Sequence, residues 1–349
     1  MIRFIFIATI VLLAFNGTDC RKNPVIPPPQ PPPSPPDTTS HNFTFTTYTF
    51  GGNAGSSGFK DVTIIDDSNI WVVGAINPAT DSTYNAVHWD GEKWNSLQIQ
   101  FYTICGQSHT TAYPINTIFA FGGNDIWFSD GGEILHWIDS SHIHDCSISS
   151  LINGAINKIW GISSSNLYAV GNAGTIIHNS NGTWTKMESG TTIDLRDVWG
   201  SPDGSVVLTC GWSNDESQSI LLKYDGTNWK TVWSRNGPSV NPYGYFVSSV
   251  WETDSLFLSS GRGVFRDTTQ VIVLPWFPYR IRGSANNNIA VAGDEGMIWH
   301  WSGTDWKQLN LQSGEPLYSV AISKTMLIAV GSDFNIGLGA ALIYIGKRQ

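Results

Sequence analysis

Charge is scarce in this chain of 349 residues: Asp, Glu, Lys and Arg together make up 13%. The 19 Lys and Arg are spread thinly and the net charge is −9, without the clustered basic stripe that nucleic acid rewards. Helix-favouring residues are few, and there are only four Met and four Cys. The longest apolar run, Phe4 to Phe15, is too short to cross a bilayer comfortably. Against these shortages stand 35 Gly, 16 Trp, 16 Phe and 11 Tyr. Aromatics favour strands and glycines favour turns, so the composition implies an all-β protein. The length allows one large domain or two ordinary ones.

The apolar run follows Arg3, and this order suits the core of an export signal. "NGTDC" comes next and ends at Cys20. A cysteine just after such a core resembles the lipobox of bacterial lipoproteins, in which the Cys becomes the lipidated N-terminus. Gly17, Thr18 and Asp19 depart from the residues that family prefers before its Cys. The alternative is an ordinary secretory signal with an incidental Cys. The next segment favours the lipoprotein: "RKNPVIPPPQPPPSPPDTTS", residues 21–40, is too rich in proline for helix or sheet and reads as an extended stalk. The expected organisation is a signal peptide over 1–19, an anchored Cys and stalk over 20–41, and a globular domain over 42–349. Export permits disulfides. Cys105 and Cys146 follow the outer parts of successive repeats and are a candidate bridge, whereas Cys210 lies in a strand pattern and reads as a buried thiol.

The globular part repeats itself. A short strand ending in Gly recurs as "NIWVVG" (69–74), "NLYAVG" (166–171), "VVLTCG" (206–211), "NIAVAG" (288–293) and "LIAVG" (327–331), with weaker copies at 125–130 and 255–261. Each copy has an alternating strand before it, another after it, and then a turn and, in most copies, a strand opening with Trp. Seven sets of four short strands describe a seven-bladed β-propeller. Blade starts fall near 59, 115, 155, 194, 246, 279 and 317. The last set stops after three strands, at "ALIYIGKRQ", while "HNFTFTTYTF" (41–50) is an alternating strand with no repeat of its own. An open ring would leave unpaired edges, so the N-terminal strand is expected to pair with the C-terminal blade and close it.

"NAVHWDGEKW" (85–94) has the look of a catalytic or metal-binding patch. Its pattern recurs, however: His88, His178 and His300 each precede a Trp by six residues, Lys223 takes the same place before Trp229, and His136 occupies the position without its Trp. Side chains one blade apart cannot share a metal, whose ligands must sit within about 2 Å of it. These histidines therefore read as polar strand-end residues beside a turn, with Trp packing between blades. The turns "WDGEKW", "NSNGTW", "YDGTNW" and "WSGTDW" resemble the Asp-box of sialidase-type propellers. The longer repeat, as in "NLYAVGNAGTIIHNSNGTW", is similar to repeats of bacterial exported propellers and of the photosystem-assembly propellers. The resemblance implies the propeller fold over 42–349. It implies no catalytic role, because the box is structural in those families and its full pattern is not reproduced here.

Loop length separates the two faces. Turns joining first to second and third to fourth strands are short. Loops joining second to third strands, or one blade to the next, are long and varied. Function on a rigid scaffold sits in such loops, although neutral drift would lengthen them as well. Their aromatics are candidate ligand contacts: Tyr84, Tyr102, Tyr113, Trp212, Tyr243, Tyr245, Trp276, Phe277 and Phe334. Aligning the innermost strands brings Asp61, Thr117, Lys158, Asp197, Ser249, Arg280 and Ser319 to one level of the central tunnel. Of these, Asp61, Lys158, Asp197 and Arg280 could meet a ligand or simply pair with one another, the reading preferred here. The sequence thus describes a lipid-anchored binding propeller of the bacterial cell envelope, monomeric, for protein or glycan. No nucleotide-sugar motif, metal site, catalytic set or cofactor is found. The alternative is a carbohydrate-active enzyme at the tunnel mouth, which would need two carboxylates across one cleft.

Overall fold

The protein is described by a computed structural model that covers residues 38–349 apart from 79–81, 140, 216, 237–242, 244–245, 254, 262 and 310–313. The export signal, Cys20, most of the stalk and Tyr245 lie outside the described residues. Seven four-stranded antiparallel sheets follow one another along the chain. Their first strands are Gly58–Asp66, Thr117–Gly122, Ile156–Ser163, Leu195–Gly200, Val247–Glu252, Pro278–Ala285 and Leu317–Ile322, in blades 1 to 7. Each first strand touches those of its two neighbouring blades, and the ring closes between blades 7 and 1. The fold is a seven-bladed β-propeller with the first strands innermost.

The glycine opposite the start of the first strand in blades 1, 3, 4, 6 and 7 has a steric cause. A methyl group built on Gly74 would stand 2.2 Å from the Gly58 carbonyl oxygen, and one on Gly211 would stand 1.9 Å from that of Asp194. At this level the first strand carries an extra residue. The pairing jumps from Phe59–Gly74 to Asp61–Val73 in blade 1, and from Leu195–Gly211 to Asp197–Cys210 in blade 4. Such a bulge kinks the strand and presses its backbone against its neighbour. At these five positions the approach leaves no room for a side chain.

The core is a set of seams between blades. Phe59, Val72 and Val87 of blade 1 pack against Ile328, Val330 and Ile343 of blade 7, and comparable clusters fill the other six junctions. The Trp that opens the fourth strand serves these seams: Trp184 meets Trp127 of blade 2 at 6.3 Å, and Trp229 meets Tyr168 of blade 3 at 6.2 Å.

Closure follows the expected route. Phe43–Phe50 is the outer strand of blade 7 and pairs antiparallel with Ala340–Arg348, from Phe43–Arg348 to Phe50–Ala341. Its aromatics change parity midway. Phe43 and Phe45 pack into the seam with blade 6, while Tyr48 and Phe50 pack into the seam with blade 1. One strand thereby seals two junctions. Deleting residues 42–50 is expected to lower the melting temperature of the entire domain in calorimetry, and an unchanged melting curve would contradict this closure.

Candidate functional site at the tunnel mouth

The repeated histidines prove to be structural, through partners that the His–Trp spacing did not reveal. His88 Nε2 donates to Asn69 Oδ1 at 2.9 Å, His178 Nε2 to Asn166 Oδ1 at 2.8 Å and His300 Nε2 to Asn288 Oδ1 at 2.9 Å. Asp125 takes the same role for His136 at 2.8 Å. Each acceptor is the first residue of the second strand in its blade. The rings of His88, His136 and His178 stack on Trp71, Trp127 and Tyr168. Burial lowers the pKa of His88 and His178, and that of His300 to about 3, so these three rings stay neutral. In blade 5, where Arg266 replaces the His, Ser255 replaces the Asn, and Arg266 Nη2 donates to Ser255 Oγ at 3.1 Å. The beginning of the motif "NIWVVG" thus carried a signal that alignment could have exposed. Asp90 in "NAVHWDGEKW" accepts the amides of Glu92 and Lys93 at 3.0 and 2.9 Å, and these bonds hold its carboxyl at about 2. It closes a turn.

The aligned residues of the inner strands do meet at one level. Asp61 and Lys158 form a buried ion pair. Thr117 Oγ1 and the Ile118 amide, each at 3.0 Å, and Ser319 Oγ at 2.9 Å complete the shell of Asp61. Asp197, fully buried, pairs with Arg280 and takes Arg282 in a two-pronged contact at 2.6 and 3.0 Å. Ser249 Oγ donates to it at 2.5 Å, and Arg282 lies over the Trp199 ring at 4.4 Å. Burial pushes both carboxyls up, but their cationic and hydrogen-bonding partners outweigh it and hold both below the ordinary carboxylate range. Lys158 is drawn down to about 8 by burial, against the pull of Asp61. A general acid needs its pKa raised, so neither carboxyl is poised to protonate a glycosidic oxygen.

The bulges place a second set of side chains above this layer. Lys60, Asn157, Arg196, Ser248, Tyr279 and Tyr318 are the extra residues of their strands, and Asn116 stands at the equivalent place just before Thr117. All seven line one cavity of about 330 Å³, together with Trp212 and Arg280. Each directly precedes a member of the ion-pair layer, and the chain enters each inner strand from the long-loop face. The cavity is therefore the mouth of the tunnel on that face. Lys60 Nζ lies 5.0 Å from the Tyr318 ring centroid, and Arg196 stacks on Trp212 at 4.3 Å while its Nη2 donates to Asn214 Oδ1 at 2.7 Å. Burial lowers the pKa of both cations.

The loop aromatics divide. Tyr113, Trp276 and Phe334 are 40%, 46% and 58% exposed. Tyr84, Tyr102, Trp212 and Phe277 are half-buried. Tyr243 is turned inward against Trp233 and Phe265 and offers no surface to a ligand. Cys105 and Cys146 are bridged, with Cα atoms 5.5 Å apart, and Cys210 is a buried thiol. The bridge borders a cavity of about 430 Å³ lined by Tyr102, Tyr113, Asp130 and Glu133. There His144 Nδ1 faces Glu133 Oε1 at 2.5 Å. Among the described residues, no group of three or more His, Cys, Asp or Glu could hold a metal ion.

Replacing Asp197 with Asn leaves Arg280 and Arg282 facing a neutral group, an expected loss of about 3–5 kcal/mol at neutral pH. The depressed carboxyls contribute stability that is full above the unfolded value of 3.8 and falls away as pH drops through their lower folded values. The gap between wild type and Asp197→Asn in urea titrations should therefore hold from pH 7 down to about pH 4 and narrow below it. A gap independent of pH would refute the charge pairing.

Comparison with known proteins bears on the fold. Neither a protein-family model nor a curated protein sequence matches the chain. Solved structures do. The structure described as YCF48 bound to D1 peptide is 14% identical, covers 89% of this chain and 99% of its own, and superposes with a TM-score of 0.62. YCF48 from Cyanidioschyzon merolae is also 14% identical, with 85% and 98% covered and a TM-score of 0.56. The WD40 β-propeller domain of Doa1 is 16% identical, with 88% and 97% covered and a TM-score of 0.56. At these identities the likeness establishes the β-propeller fold, which this chain shares with the YCF48 and WD40 propellers.

Proposed function

We propose that this propeller is a non-catalytic interaction domain that receives a segment of another protein on its long-loop face. One observation carries the reading. Among the described residues, the large exposed apolar side chains outside strands all lie on loops of that face: Ile104, Tyr113, Trp276, Phe334, Ile336 and Leu338. The remaining ones, among them Ile143, Val232 and Val273, sit on strands. Grouped exposed apolar residues mark interaction surfaces, whereas scattered ones are ordinary. Phe334, Ile336 and Leu338 share one loop between Met326–Asp333 and Ala340–Arg348, 58%, 39% and 63% exposed. The YCF48 propeller seen with a bound D1 peptide supports a peptide-sized partner, and the occupied state of Asp61 and Asp197 argues against the glycosidase alternative. We further propose that the protein is exported and tethered through a lipidated Cys20, with the proline-rich stalk holding the propeller off the membrane.

A peptide library panned on the purified protein should yield binders that Phe334→Ala/Ile336→Ala/Leu338→Ala weakens by roughly tenfold or more, given about 1–2 kcal/mol per central apolar contact. Binders that are indifferent to the triple change, or ligands appearing only on a glycan array, would overturn the protein-binding reading. Cys20→Ser should release the protein from membranes. Attachment that persists would contradict the anchor.

A further inference from the structure

We propose that the tunnel mouth is an anion site that receives a carboxylate, and that this carboxylate belongs to the protein segment docked on the long-loop face. This inference rests on the reading above. Every blade contributes its bulged or equivalent residue to the mouth cavity, and the cations that line the cavity are incompletely paired. Lys60 faces the Tyr318 ring and has no carboxylate within ion-pair distance among the described residues. Arg280 shares Asp197 with Arg282. The nearest carboxylate oxygen of Arg196 is 3.9 Å away, on Asp194. The buried Nε atoms of Arg196 and Arg280 have no hydrogen-bond acceptor. A buried donor without an acceptor is costly, and an incoming oxyanion would relieve that cost.

The opposing charges are few. Asp61 is occupied by Lys158 and Asp197 by two arginines, while Asp194 lies beside Arg196 and Asp294 acts on Tyr318. Across the mouth and the ion-pair layer beneath it, Lys60, Lys158, Arg196, Arg280 and Arg282 outnumber these four acids. A cationic mouth thus sits in a chain of net charge −9, and the local excess would draw and orient an acidic group. A planar carboxylate matches the guanidinium fork. The tunnel already shows this mode one level below, where Arg282 grips Asp197 through both terminal nitrogens. Trp212, Tyr279 and Tyr318 wall the cavity and suit the organic body that carries the charge.

The same chemistry would fit a free carboxylic acid, and titration calorimetry on the full chain separates the two sources. The probes are acetyl-Glu-Glu-Phe, its neutral counterpart acetyl-Gln-Gln-Phe-amide, and succinate. The acidic peptide should bind and the neutral one should not. Lys60→Gln/Arg196→Gln should weaken acidic-peptide binding by about tenfold or more, whereas Lys60→Arg should stay within about threefold. An unchanged melting curve for these variants shows that the loss is local. Acidic-peptide binding that also depends on Phe334, Ile336 and Leu338 confirms both the site and the docking reading. Succinate binding that needs Lys60 and Arg196, with no peptide binding, keeps the anion site but overturns the protein source and the reading beneath it. Peptide binding lost with the loop residues but indifferent to Lys60 and Arg196, or equal binding of acidic and neutral peptides, overturns the anion site and leaves the docking reading standing.

Discussion

Ring closure is the constraint on which the rest of this molecule depends. Its core is divided into seven seams, so no blade buries both of its faces unless both neighbours are in place. The last seams are completed by a strand from the opposite end of the chain. Phe43, Phe45, Tyr48 and Phe50 contribute about 1.5–3 kcal/mol each at full burial, and less here because each is only partly buried. That sum is comparable with the whole stability of an ordinary domain. Backbone pairing along Ala340–Arg348 adds register and removes an open sheet edge.

Closure also fixes what happens on the axis. Asp61 of blade 1 is reached by Lys158 of blade 3 and Ser319 of blade 7, and Asp197 of blade 4 by Ser249 of blade 5 and Arg280 and Arg282 of blade 6. These contacts cross blades, and the one from Ser319 to Asp61 spans the closing junction. They occupy the charges at that level and free the residues one step above for another use. The bulge makes this division possible. An unbroken strand would alternate its side chains between the two blade faces, whereas the extra residue resets that alternation and turns a second side chain towards the axis.

Most of the fold was legible in the sequence because it is written several times over. Seven copies of a strand ending in Gly set the blade count, and an unmatched strand at one end answered a missing strand at the other. The preferred pairing of Asp61, Lys158, Asp197 and Arg280 with one another was also readable, since alignment alone brings them to one level. The mouth was harder to see. Lys60, Asn157, Arg196 and Tyr279 vary in type, and their shared position follows from a bulge that leaves no local signature beyond the Gly on the partner strand. The role of Asn69, Asn166 and Asn288 is not carried by the His–Trp spacing, because each acceptor lies a full strand upstream of its His. Tyr243 looked like a loop contact, yet neighbouring aromatics draw it inward. Loop residues carry no periodicity from which burial could be read.

The short-loop side is plainly built for structure, with Asp, Asn and Ser closing tight turns. The long-loop side combines apolar tips, a disulfide-bound ribbon at Phe101–Tyr102 and Thr110–Thr111, and a cationic mouth. The division of labour between the two faces is the central claim, and an experimentally determined structure of the protein with a captured partner peptide tests it most directly. The peptide is predicted to lie across the loop of Phe334 with an acidic group beside Lys60 and Arg196. A peptide seated on the short-loop face, or along the outer edge of a blade, would contradict it.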